Sequence, residues 1–278
     1  MNTKPSRTLM IAVLAIGFAA VSTGTMAQAM SEPHSSNDLR TAEEDHKTRE
    51  CTVENSIKKD NEKDKSSEDN SAFNPCYFSS EIDNQYFPMS KYAGKTLRFA
   101  GTTIQDGNTV QIVKEWQVQG KTAEIDGVMT TPVLVTEYED DQVVEIATDF
   151  YAQGNNGVVY LFGEYSTDYE DGKPTGHEGS WFVGDDTPVP GIMMPSNPGL
   201  GIEFSFMVED VPGVVHEKGI ISNTNAPISV KFGSYDNALA ARLYDFNDGN
   251  YKTNYFVPAI GLVKTVSEDT SVELVSIS

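Results

Sequence analysis

The fold class is decided by the stretch Val110-Gln111-Ile112-Val113-Lys114-Glu115-Trp116-Gln117-Val118. Its even positions are apolar at Val110, Ile112, Trp116 and Val118. Successive residues of a β-strand point to opposite faces of a sheet, so these four side chains share one face. The stretch therefore predicts an antiparallel strand with one buried and one solvated side.

Similar segments, rich in β-branched and aromatic residues, recur from Cys76 to the end of the chain with turn residues between them. Four Asp-Gly pairs lie between the segments, and Asp followed by Gly favours the left-handed backbone of a tight hairpin. The helical period of 3.6 is met only weakly, at Asn237 to Leu243, which disfavours a parallel α/β fold. The pairs are Asp106-Gly107, Asp126-Gly127, Asp171-Gly172 and Asp248-Gly249.

These patterns predict an all-β fold. We expect a long antiparallel meander that forms a curved sheet or partly closed barrel, preceded by a disordered acidic N-terminal tail. The predicted strands are Thr96 to Ile104, Thr109 to Val118, Val133 to Tyr138, Val143 to Tyr151, Val158 to Tyr165, Gly179 to Val183, Ile202 to Val208, Val214 to Ser222, Ile228 to Phe232, Ala240 to Phe246, Lys252 to Val257, Gly261 to Val266 and Ser271 to Ile277.

The N-terminal quarter of the chain has a different composition. Residues 1–29 combine a basic start, an apolar run and the small-x-small site Ala27-Gln28-Ala29, which is typical of a secretory signal peptide. Residues 30–75 are dominated by polar and charged residues and predict a disordered charged linker. Residues 76–278 are expected to form a single all-β domain. We therefore expect a periplasmic or secreted bacterial protein without a transmembrane segment after signal cleavage.

Cys51 and Cys76 are the two cysteines of the chain. Because disulfides form in oxidising compartments, export makes a bond between them the expected state. An intermolecular or free thiol remains the alternative.

The net charge restricts the partners. With 20 Lys and Arg against 41 Asp and Glu, the chain carries −21. Phosphate recognition depends on Lys and Arg, so no nucleic-acid partner is expected. Anionic membrane surfaces are disfavoured for the same reason.

Several segments resemble an uncharacterised family of secreted bacterial all-β proteins. The resemblance is carried by Tyr151-Ala152-Gln153, by Gly157-Val158-Val159-Tyr160-Leu161-Phe162-Gly163-Glu164, by His177-Glu178-Gly179-Ser180-Trp181 and by Pro190-Gly191-Ile192-Met193-Met194-Pro195-Ser196-Asn197-Pro198. It covers most of the region after Tyr86 and implies one compact β-domain. The family has no established activity, so the resemblance assigns no catalytic residues.

The sequence is compatible with two kinds of binding site. An apolar ligand site is expected from soft and aromatic side chains, whose alternative role is to fill the core. These side chains are Trp181, Met193, Met194, Phe204 and Phe206.

A divalent-metal site is the second possibility, since two His-Glu pairs offer nitrogen and oxygen ligands. The pairs are His177-Glu178 and His216-Glu217. Their spacing matches no zinc signature, and two hydrogen-bonded or exposed histidines are the alternative. No other cofactor is expected.

The acidic run Glu137-Tyr138-Glu139-Asp140-Asp141 is interpreted as a solvated turn. His177, Glu178 and Ser180 are not expected to form a nucleophilic set, because adjacent residues of a strand point to opposite faces.

Three functions follow from these patterns. The first is an exported, non-enzymatic protein that binds a small apolar or amphipathic molecule in its curved sheet. The second is an envelope or secreted protein that binds another such protein. The third is a divalent-metal-binding protein that uses the His-Glu pairs.

Overall fold

The structure is a computed structural model that describes residues 11–13, 17–19, 74–207, 216–246 and 249–278. Of residues 11–13, 17–19, 205–207 and 216 it describes the backbone only. Most of the predicted signal peptide and linker lies outside this part of the chain, so both stay predictions. Cys51 also lies outside it, and its disulfide with Cys76 stays a prediction.

The fold is all-β, as predicted. Within the described ranges, sixteen strands form one sheet whose paired neighbours are antiparallel. The short strands β1 and β2 pair separately. Two 3₁₀ turns lie at Pro75–Tyr77 and Met89–Tyr92. The strands are β1 Ile11–Val13, β2 Gly17–Ala19, β3 Phe78–Ser79, β4 Thr96–Gln105, β5 Asn108–Val118, β6 Ala123–Ile125, β7 Val128–Glu139, β8 Gln142–Gly154, β9 Val159–Glu170, β10 Lys173–Gly176, β11 Trp181–Phe182, β12 Gly191–Met194, β13 Glu203–Met207, β14 His216–Val230, β15 Gly233–Asp245, β16 Tyr251–Val257, β17 Gly261–Ser267 and β18 Thr270–Ile277.

The sheet curves so that its two ends lie next to each other. It runs β10-β9-β8-β7-β5-β4-β18-β17-β16-β15-β14-β13, and β11 and β12 also pair with β9. The strand β12, at one end of this order, lies beside β13 at the other end. No ladder joins these two strands among the described pairings, so the sheet is a curved, incompletely closed barrel.

Asp-Gly turns connect the hairpins where the sequence predicts them. Asp106, Asp126 and Asp171 have φ of 51°, 45° and 51°, and the glycine after each also has a positive φ. Two consecutive residues with positive φ make the turn whose twist matches the flanking strands. Gly249 has φ 76°, whereas its partner Asp248 is outside the described residues.

The chain before β4 covers one end of the curved sheet. The Asn84 side-chain amide donates to the carbonyls of Gly157 (3.0 Å) and Pro195 (3.2 Å). On the opposite side, the Tyr92 hydroxyl donates to the Ile260 carbonyl (2.8 Å). Between these anchors, Phe87 is fully buried. The apolar core therefore continues up to this end of the sheet.

Two local predictions were wrong. The weak helix candidate Asn237 to Leu243 lies within β15, where Ala238 to Ala241 and Leu243 are buried in the sheet. Ile228 to Phe232 is not a separate strand, since β14 extends to Val230 before the turn into β15. Among the described residues, no helix has the length and apolar character needed to cross a membrane.

Candidate functional site

The inner face of β5, β7, β8 and β9 carries an unusual set of polar residues. The ladders align them in three rows across the four strands. One row holds Lys114, Glu137, Glu145 and Asp168, the next holds Trp116, Val135, Ala147 and Ser166, and the third holds Val118, Val133, Asp149 and Glu164. Trp181 of β11 pairs with Glu164 and extends the third row. We call Glu137, Glu145, Asp149, Glu164 and Asp168 the buried acidic face.

All five carboxyl residues of the buried acidic face are excluded from solvent. Their exposed fractions lie between 0% for Glu164 and 4% for Glu145. Charged residues are almost never this buried unless they are paired. The Lys114 ammonium lies 2.6 Å from Glu137 Oε2 and forms the ion pair of this face. One lysine therefore accompanies five acidic side chains.

The remaining carboxyl oxygens are only partly satisfied. The Ser166 hydroxyl donates to Glu145 Oε1 (2.9 Å), and the Tyr151 hydroxyl donates to Asp149 Oδ2 (2.8 Å). Glu145 Oε2, Asp149 Oδ1 and both oxygens of Glu164 have no hydrogen-bond partner among the described residues. Such atoms are rare, because an unsatisfied buried polar group costs about 1–3 kcal/mol.

Two buried indole N–H groups also lack a hydrogen-bond partner among the described residues. Trp181 is 0% exposed and Trp116 is 2% exposed. Neither Nε1 atom has a partner within the described part of the chain. Trp181 shares a row with Glu164, and Trp116 lies between Lys114 and Val118 on the inner face of β5. Unsatisfied donors and acceptors therefore occur together on one surface.

Burial raises the pKa of the acidic residues. Burial raises the pKa of Glu145 to about 8, and the nearby charge of Glu137 adds to this rise. Burial also raises the pKa of Asp149 to about 7, although the Tyr151 hydrogen bond opposes this change. The pKa of Glu164 is raised well above its ordinary value by burial and by the neighbouring Asp149. The face therefore takes up protons near neutral pH.

Asp168 connects the buried acidic face with the exposed segment after β10. Burial and a hydrogen bond with exposed Glu178 raise the pKa of Asp168 to about 6. His177 Nδ1 lies 2.8 Å from the Ser166 carbonyl, and its ring stacks on Tyr165. The first His-Glu pair thus lies at the edge of the face, where its residues contact β9.

Ser180 has a structural role in the same segment. Its hydroxyl accepts from the Ser166 amide (2.9 Å) and donates to the Ser166 carbonyl (3.2 Å). These bonds attach the segment to β9.

A second polar cluster lies on β14, β15 and β16. Lys252 forms an ion pair with Glu217, and both are buried. Burial lowers the pKa of Lys252, although the charges of Glu217 and of the buried Asp245 oppose this change. Lys252 is ion-paired within this cluster, whereas Glu145, Asp149 and Glu164 are influenced by the charge of Lys114, which opposes the rise in their pKa values.

The residues predicted to line an apolar ligand site fall into two groups. Trp181 lies beside the buried acidic face. Met193 and Met194 of β12 and Phe204 of β13 are buried where these two neighbouring strands meet, at 7%, 0% and 7% exposure. The Phe206 side chain is outside the described residues. Whether these residues bind a ligand stays a prediction.

The four residues predicted to bind metal are divided between two places. His177 and Glu178 contact β9, whereas Glu217 pairs with Lys252 on β14 and β16. The His216 side chain is not among the described residues, so the complete set stays a prediction. No group of three or more His, Cys, Asp or Glu arranged for a metal ion occurs among the described residues.

Sequence reasoning missed most of the buried acidic face. Glu137 was assigned to a solvated turn, yet it is 3% exposed, and the turn itself is formed by the exposed Asp140 and Asp141. A signal was present in the alternation: Lys114 occupies an even position of its strand, and Glu164 and Asp168 share the period of a buried strand. Polar residues at apolar positions of a strand mark such a site.

Known proteins show low similarity to the chain. No protein-family model matches the chain, and no curated protein matches it. Three solved bacterial structures are similar at low identity. One, described as an exported protein with a YmcC-like fold from Bacteroides fragilis, is 11% identical over 67% of this chain and 96% of its own, with a TM-score of 0.37.

The other two structures are equally distant. A protein described as a lipoprotein from Parabacteroides distasonis is 13% identical over 69% of this chain and 98% of its own, with a TM-score of 0.37. A β-barrel-like protein of a domain of unknown function from Brucella abortus is 11% identical over 66% of this chain and 96% of its own, with a TM-score of 0.34.

Proposed function

We propose that the protein is an exported, non-enzymatic binding protein that holds one small amphipathic molecule against the inner face of its curved sheet. The observation that carries this proposal is the pair of fully buried residues Trp181 and Glu164, whose side-chain polar atoms have no partner among the described residues. Buried polar atoms are nearly always hydrogen-bonded, and a bound molecule supplies partners for them.

The surroundings of this pair suit a ligand with a polar and an apolar part. Trp116, Val133 and Val135 lie among the acidic residues on the inner face, and all three are buried. Ligand sites typically combine such an apolar lining with a few polar groups that orient the ligand. Met194 and Phe204 are further buried apolar side chains, on the neighbouring strands β12 and β13.

Native mass spectrometry of the protein purified from its own secreted fraction tests the proposal. We expect one noncovalent small-molecule adduct per chain. After the ligand is removed by unfolding and refolding, the emission of Trp116 and Trp181 should change, because both indoles lie on the inner face. A bare chain mass, together with unchanged emission after refolding, would contradict the proposal.

Binding to another envelope or secreted protein is the second candidate function. It is favoured by Leu200 and Ile202, which are 72% and 43% exposed just before β13. Ile220 of the neighbouring β14 is 38% exposed. If this function is correct, the native mass spectrum contains the chain together with a protein partner, and Leu200→Asn removes that species.

A further inference from the structure

The number of carboxyl groups on the inner face indicates which polar group the ligand carries. Glu145, Asp149 and Glu164 are each at most 4% exposed, and each has at least one carboxyl oxygen without a partner among the described residues. Lys114 is already paired with Glu137. The unsatisfied acceptors therefore exceed the two unsatisfied indole donors, and the excess is acidic.

The three residues lie on the neighbouring strands β8 and β9. Asp149 pairs directly with Glu164 across β8 and β9. Glu145 and Asp149 point to the same face, four residues apart on β8, which places their Cα atoms about 13 Å apart. The residues between them in the grid are the small Ala147 and Ser166. The two acidic rows thus border a strip of small side chains.

We infer that the polar part of the ligand is an organic cation, an ammonium or guanidinium group, that the carboxyl groups of Glu145, Asp149 and Glu164 bind from two sides. This inference rests on the proposed binding function. An ammonium group has three donors and a guanidinium has five, and carboxylates accept charge-assisted hydrogen bonds from both. Indole rings such as those of Trp116 and Trp181 also attract cations to their faces.

The electrostatics of the inner face agree with this assignment. Burial raises the pKa of Glu145 and Asp149 to about 8 and about 7 although the charge of Lys114 lowers both, so these groups hold protons near neutral pH. A positive charge placed between them lowers both pKa values. Binding of a cation therefore releases protons from the face.

Three eight-carbon amphiphiles test the inference by isothermal titration calorimetry at pH 7. Octylamine is cationic, 1-octanol is neutral and octanoate is anionic. We expect octylamine to bind at least about tenfold more tightly than either of the others. We also expect its enthalpy to depend on the ionisation enthalpy of the buffer, because protons are released, whereas the enthalpy of 1-octanol does not.

Variants locate the effect on the inner face. Glu164→Gln removes the charge and keeps the shape, so it should reduce the preference for octylamine at least about fivefold while binding of 1-octanol is retained. Glu124→Gln is the matched control, since Glu124 is exposed on β6. Circular dichroism checks that each variant is folded.

The outcomes separate the inference from the proposed function. Equal binding of the three amphiphiles, or a preference for octylamine that persists in Glu164→Gln, would overturn the inference and leave the binding function intact. Failure of all three to bind to the ligand-free protein would overturn both. Selective, proton-releasing binding of octylamine that Glu164→Gln weakens supports both.

Discussion

Replacing Glu145 by Gln should stabilise the ligand-free protein at alkaline pH. Burial and the charge of Glu137 raise the pKa of Glu145 from 4.5 to about 8 in the folded state. The unfolded chain therefore loses this proton at a lower pH than the folded chain does. Unfolding is favoured as pH rises between these values, so the stability contributed by Glu145 falls from about pH 4.5 to about pH 8.

The magnitude follows from the difference between the two pKa values. Each unit of difference corresponds to about 1.4 kcal/mol. At pH 8, wild-type Glu145 thus lowers the free energy of unfolding by about 4 kcal/mol, whereas at pH 5 it lowers it by about 1 kcal/mol. Gln lacks the ionisation but still accepts from the Ser166 hydroxyl, which lies 2.9 Å from Glu145 Oε1. The free energy of unfolding of the variant, relative to that of the wild type, should therefore rise by about 3 kcal/mol from pH 5 to pH 8.

Urea denaturation at pH 5 and pH 8, followed by tryptophan emission, measures this difference. Because Trp116 and Trp181 are buried, unfolding changes their emission. Glu124→Gln, at an exposed position, is the control and should show the wild-type pH dependence. The reasoning is refuted if Glu145→Gln and the wild type lose the same stability between the two pH values, or if the variant loses more.

Two further substitutions test the charge and the packing of the sheet. Lys114→Met leaves Glu137 buried without its cation, so at pH 8 it should destabilise the protein by about 3–5 kcal/mol in urea. Lys218→Met is the control, since it removes only the exposed ion pair with Glu203 and should lower the free energy of unfolding by less than about 1 kcal/mol. Similar losses in the two variants would contradict a stabilising role for the buried Lys114–Glu137 ion pair. In Gly101→Ala, the new Cβ would lie 1.8 Å from a backbone oxygen of β18, so the β4–β18 ladder must separate and the melting temperature should fall steeply. Gly120→Ala meets no atom within 4 Å and should melt like the wild type; an equal fall in both variants would show that close packing at β4 is not the cause.

The strands and hairpins could be predicted from the sequence because their signals are local. The alternation of Val110 to Val118 depends only on the two-residue period of a strand, and β5 is found at Asn108–Val118. The turns at Asp106, Asp126 and Asp171 depend on backbone conformations that Asp and Gly adopt readily. The helix candidate at Asn237 to Leu243 failed because packing in β15 overrides a weak local preference.

The candidate site could be predicted only in part, because its residues become neighbours through strand register. Trp181 was assigned to ligand binding from its residue type, but its pairing with Glu164 is visible only in the ladder of β9 and β11. The interpretation of Glu137 as solvated was reasonable for an acidic residue near a turn. It was wrong because β7 continues to Glu139 and turns this side chain inward.

The sequence by itself thus determined the all-β class and the Asp-Gly hairpin turns, and its net charge predicts that nucleic acid is not a partner. Each of these depends on residues close in the chain or on their total number. Only the tertiary structure decided that Lys114 and five carboxyl groups share one buried face, because long-range pairing of four strands sets which side chains meet. Burial then determines their pKa values, since the charged forms lose their solvation only when the sheet has curved around them.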